Sequence, residues 1–140
     1  MARNISTVIC ETSASKVWAV LTEPKQVKVW QYGSDLITDW SVGSEIRFRT
    51  EWNGDVFEQR GTVLEFLPTK LIRYSLFAPR PGLKDSPENY FEMNYILTED
   101  SAVTKLEIVQ IDNRAGAAEE VPQDETTNPI LAALKKLAEA

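Results

Sequence analysis

Three features of the sequence predict an α+β fold in which an antiparallel sheet packs one face against helices. SEIRFRTEW (44–52) alternates strictly, with Ile46, Phe48, Thr50 and Trp52 on one side and Glu45, Arg47, Arg49 and Glu51 on the other. That is the pattern of a strand with one buried and one wet face. The C-terminal run PILAALKKLAEA places Ile130, Leu131, Leu134, Leu137 and Ala138 on one stripe of a helix. Between Val17-Trp18 and Trp30, Thr22-Glu23-Pro24 interrupts a helical pattern, because proline lacks the N–H and crowds the preceding turn.

Taken in order, RNISTVICE (3–11) is rich in β-branched residues and predicts a first strand. Thr12 and Ser13 can cap a helix carrying Val17, Trp18, Val20 and Leu21, and Pro24 fits the first turn of a second short helix with Val27 and Trp30 inward. After the strand at 44–52, Asn53-Gly54-Asp55 signals a hairpin turn into VFEQRGTVLEFL (56–67). Pro68-Thr69-Lys70 then turns the chain into LIRYSLFA (71–78). PRPGLKDSPEN (79–89) is a loop by its three prolines and glycine, and it is long enough to serve as a lid or as a plain connection. YFEMNYILT (90–98) and AVTKLEIVQID (102–112) pair, and Asn128-Pro129 supply the cap and first position of the last helix. This order predicts two short helices after strand 1, about six to seven strands and a C-terminal helix, in one domain spanning 1–140.

The bulk chemistry narrows the function. A net charge of −6 with a pI near 4.7 repels phosphate backbones, which argues against nucleic-acid binding. Five acids (Asp112, Glu119, Glu120, Asp124, Glu125) against Arg114 concentrate −4 of that charge in 112–125, which reads as a solvated loop. No apolar run reaches the ~20 residues of a membrane span. The first residues lack the pattern of a secretory signal, so a cytoplasmic location is expected. Cys10 is the only cysteine and there is no histidine, which removes disulfides, Ser-His and Cys-His catalysis and His-ligated zinc. No cofactor or metal is implied; the pairs Glu119-Glu120 and Asp124-Glu125 lack the spacing of a calcium loop.

Several motifs in order carry a resemblance. The Val-Trp helix with its LTEP break (17–24) and second tryptophan, Trp30, come first. WSVGS (40–44), GTVLEFLPTKL (61–71) and Thr104-Lys105-Leu106 follow. In this the chain resembles the START-like superfamily, with the helix-grip fold of the birch-pollen allergen. Within it the chain looks like the branch named after the activator of the ninety-kilodalton heat-shock chaperone's ATPase. Departures from the branch pattern are Ser44 in place of a second glycine, Gln31 after Trp30, and Gln110 at a strand end. The resemblance implies a curved antiparallel sheet wrapped on a long C-terminal helix, enclosing a cavity for apolar or amphipathic molecules.

On that basis the candidate cavity residues are Trp30, Phe48, Trp52, Tyr74, Met93, Tyr95, Leu131 and Leu134. They either line a ligand site or fill the core themselves. If Leu64 and Phe66 face inward without a bulge, Glu58 and Arg60 share their face and join the cavity; in the opposite phase both charges stand in water. Trp18 is expected as a packing anchor and Trp30 as cavity wall. The expected function is non-enzymatic binding of an unknown hydrophobic or amphipathic small molecule. A chaperone-associated or stress-related interaction module, with a possible homodimer or chaperone partner, is the alternative. A histidine-independent enzyme of cyclase or hydrolase type ranks third.

Overall fold

The computed structural model describes residues 2–140. Its sheet has eight strands in the order β2-β3-β4-β5-β6-β7-β1-β8. The strands are β1 (Ala2–Cys10), β2 (Asp35–Ile37), β3 (Glu45–Trp52), β4 (Asp55–Leu67), β5 (Leu71–Leu76), β6 (Phe91–Asp100), β7 (Val103–Asp112) and β8 (Gln123–Asp124). Neighbours pair antiparallel except β8, which runs parallel to β1, so the sheet is mixed. Strands β2 and β8, of three and two residues, add to the six that periodicity reveals; segments so short show no period.

Helices α1 (Ala14–Thr22) and α2 (Pro24–Trp30) meet at Glu23, whose extended backbone (φ −81, ψ 123) makes the corner that Pro24 requires. The Ser13 side chain caps α1 by accepting from the Lys16 amide. The Trp30 indole N–H donates to the Val20 carbonyl at 2.9 Å, pinning α2 to α1. Helix α3 (Pro129–Glu139) starts at Asn128, whose side chain accepts from the Ile130 amide at 2.9 Å. Leu131, Leu134 and Ala138 enter the core, while Ile130 stays 36% exposed at the first turn. The far end of α3 is tied to β1: the Glu11 amide donates to Glu139 and the Lys135 ammonium donates to the Ile9 carbonyl.

A mismatch of lengths determines where the interior stays open. Eleven helical residues span about 16 Å, whereas the ten-residue strands β6 and β7 span about 33 Å. Helix α3 therefore covers only part of the concave face. At the covered end, Trp18 packs on Phe66 (5.2 Å between ring centres) and Trp40 stacks on the same ring (5.4 Å). Trp18 is an anchor there, as its place on the first short helix predicts.

Strand β4 resolves its own ambiguity with a bulge between Val63 and Glu65. The extra residue lets Val63, fully buried, and Phe66, packed against the core, both face inward. Upstream of it Gln59 and Gly61 lie opposite the buried Phe48 and Ile46. The chain comes very close to β5 at Gly61, where a Cβ would sit 1.7 Å from the Ser75 carbonyl oxygen. Only glycine fits that contact.

Candidate functional site

Beyond the first turn of α3 the concave face opens into a cleft of about 370 Å³. Its floor is Tyr74 and Tyr95, with Phe48 and Met93 beside them. Trp30 and Leu131 form the helical wall, and Leu76, Phe91, Ile108 and Ile130 complete the apolar lining. The polar groups are Ser6, Gln31, Gln59 and Gln110, all uncharged. A second hollow of about 210 Å³ shares Ser6, Met93, Ile108 and Gln110 and continues beneath Glu120–Gln123. There the Glu120 amide donates to the Asn4 side chain at 2.7 Å.

The aromatic floor is ordered by geometry as well as by burial. Tyr74 and Tyr95 meet edge to face at 5.6 Å, and Phe48 packs against Tyr74 at 5.7 Å. Their hydroxyls are 2.5 Å apart, so one donates to the other and the second keeps a proton to offer. Burial pushes the Tyr95 phenol up to about 12. The Tyr74 phenol is raised well above its ordinary value, first by burial and then by its neighbour Tyr95. Both stay neutral at physiological pH.

Six of the ten candidate residues are brought together in the cleft: Trp30, Phe48, Tyr74, Met93, Tyr95 and Leu131. Leu134 lies one turn further along α3 and is fully buried in the core instead. Trp52 is corrected. It is 75% exposed at the tip of the β3–β4 hairpin, beyond the reach of any helix. Glu58 and Arg60 are corrected too. The bulge in β4 puts the inward phase on Gln59, so the two charges face away from the cleft and pair elsewhere. Glu58 takes Arg47 at 3.2 Å, and Arg60 takes Asp85 at 2.6 Å. Asp85 also accepts from the Tyr90 hydroxyl at 2.6 Å, which ties the loop 79–89 to the sheet.

Sequence reasoning missed Gln59 and Gln110, whose polarity disguised their inward positions. It also missed Asp112, assigned to a solvated acidic run. Asp112 is 6% exposed and grips Arg114 through Nε at 2.9 Å and Nη2 at 2.7 Å. Asp124 is likewise structural, accepting from the Thr126 amide at 2.8 Å. Cys10 is buried and its thiol is pushed up to about 11, chiefly by burial, which leaves it unreactive. Among the described residues no group of three or more cysteine and acidic side chains is placed to hold a metal ion, and no helix is long and apolar enough to cross a membrane.

The family model described as activator of Hsp90 ATPase homolog 1-like protein matches residues 11–139. The chain belongs to that family. A protein of Cytophaga hutchinsonii solved in solution is 30% identical, with a TM-score of 0.70 over 83% of this chain and 80% of that one. A crystal structure from Chromobacterium violaceum is 18% identical with a TM-score of 0.75 over 99% and 97%. The solution structure of the Aha1 dimer from Colwellia psychrerythraea is also 18% identical, with a TM-score of 0.61 over 84% and 81%. The last two likenesses speak for the fold alone. No match was found among curated proteins.

Proposed function

We propose that this family member is a non-enzymatic binding protein that holds a neutral, largely apolar small molecule in the cleft beside α3. One observation carries the reading: an aromatic and aliphatic cleft of about 370 Å³ whose polar groups are all uncharged at neutral pH. Such a lining removes apolar surface from water at roughly 25 cal/mol per Å² and charges no ligand group a desolvation cost against a fixed ion. The Tyr74–Tyr95 pair and the glutamines Gln59 and Gln110 suit a ligand carrying one or two carbonyl, ether or hydroxyl groups. Acid–base catalysis of the cyclase or hydrolase kind draws no support from a lining without carboxylate, lysine or arginine. The test is methyl and amide NMR with 1-decanol as probe. Shifts should concentrate on Met93, Ile108 and Leu131; shifts spread evenly over the surface would refute the cleft.

A second reading, a chaperone-associated or self-associating module, is favoured by one feature. The β3–β4 hairpin exposes Trp52 (75%) and Phe57 on one face. The family description and the dimer from Colwellia are compatible with it. Sedimentation of wild type and Trp52→Ala distinguishes the readings: an oligomer lost in the variant supports the interaction module.

A further inference from the structure

A second cavity, of about 550 Å³, lies where the loops after β5 and β7 come together past the end of the cleft. Its chemistry differs from that of the cleft. Phe57, Pro79 and Leu83 supply apolar walls, the Ala115-Gly116-Ala117 turn brings bare backbone to the opposite side, and Arg80 and Arg114 both face the space. Asp112 is its only acid.

The partners of these charges decide what the cavity can take. Asp112 is consumed by Arg114, through Nε and Nη2, and the Arg114 guanidinium lies 4.4 Å over the Phe91 ring. Phe91 lines the cleft, so this stacked arginine stands as the partition between the two spaces. With its Nε/Nη2 edge and one face committed, Arg114 is held in place and its Nη1 has no partner among the described residues. The Arg80 guanidinium makes no ion pair and no hydrogen bond among the described residues, and Arg80 is exposed. Arg60, next to Gln59 on the opposite face of β4, is already occupied by Asp85. The Arg114–Asp112 pair cancels, so the cavity carries a net charge of one positive unit in a chain of −6.

We propose that this cavity is a binding site for a small aryl or alkyl carboxylate, separate from the neutral cleft. Arg80 takes the carboxylate through its planar fork, Arg114 Nη1 adds a fixed donor, and Phe57, Pro79 and Leu83 cover the apolar body. One net positive charge matches a monoanion. A phosphate dianion would leave a charge unpaired in an already acidic protein.

Benzoate and benzamide test it, since they share shape and differ in charge. Amide NMR titrations at neutral pH should show saturable shifts at Arg80, Ala115 and Ala117 with benzoate, and an affinity about tenfold above that for benzamide. Arg80→Gln should remove the difference without changing the melting temperature, because the Arg80 guanidinium makes no ion pair or hydrogen bond among the described residues and its backbone carbonyl, which accepts from the Leu83 amide, is kept. Equal affinities of the two probes for the wild type, or an Arg80→Gln variant that still prefers benzoate, would overturn the site. Inorganic phosphate binding as tightly as benzoate would overturn the carboxylate assignment. Neither probe reports on 1-decanol in the cleft, so the two sites stand or fall separately.

Discussion

The hydroxyls of Tyr74 and Tyr95 are 2.5 Å apart at the floor of the cleft, each the other's partner in an otherwise apolar layer. The pair comes from adjacent strands: Tyr74 lies opposite Met93, and Tyr95 opposite Ile72, two residues along in each case. A diagonal contact of this kind is within reach of long aromatic side chains on one face of a sheet, and it gives the floor of the cleft an ordered polar feature.

Removing one hydroxyl leaves the other buried without its partner. Tyr74→Phe and Tyr95→Phe should each cost about 1–2 kcal/mol in urea unfolding, and the double variant less than their sum. The pair also sets an alkaline limit. Both phenols are raised in the folded state above an unfolded value near 10. The unfolded chain therefore releases these protons first, and stability present below pH ~10 is lost as pH rises towards 12 and beyond. Wild type should lose stability more steeply in that window than Tyr74→Phe. Equal slopes would show that the tyrosines do not govern it.

Gly61 is where β4 comes closest to β5. Alanine there would place its Cβ 1.7 Å from the Ser75 carbonyl oxygen, against backbone that cannot step aside. Gly61→Ala should cost about 3 kcal/mol, visible as a lowered urea midpoint. Gly82, whose added Cβ meets nothing, is the control for crowding, although its φ of +80 carries its own strain.

The tryptophans separate by burial. Trp30→Ala removes a 4%-exposed ring and a hydrogen bond to Val20, and should cost about 3–5 kcal/mol. Trp52→Ala, at a 75%-exposed position, should stay within about 0.5 kcal/mol. Thermal unfolding of the two variants side by side checks both.

The contrast between those residues shows how far the sequence could be read. Alternation correctly put Ile46, Phe48, Thr50 and Trp52 on one face, and it was silent on where the covering helix stops. Trp52 shares a face with Phe48 yet lies beyond α3's short span. The Thr-Glu-Pro corner was legible because proline acts locally. The phase of β4 was not, because a bulge of one residue leaves no residue-type signature when Val63, Leu64 and Phe66 are all apolar. Gln59 and Gln110 escaped notice for the opposite reason: period-2 reading assigns polar residues to solvent, and a ligand cleft inverts that rule. Asp112 was hidden by its acidic neighbours, although Arg114 two residues on was the partner that allowed its burial.

A cavity-filling variant tests most directly whether the cleft is open to a neutral apolar molecule. Met93 lines both the cleft and the hollow that continues from it, so Met93→Trp fills their junction. The measurement is the affinity for Nile red, a neutral dye that fluoresces in apolar surroundings, in wild type and in Met93→Trp. Saturable binding by the wild type, weakened at least about tenfold in a variant that still melts cooperatively, is the predicted result. Undiminished binding by the filled variant, or none by the wild type, would contradict it.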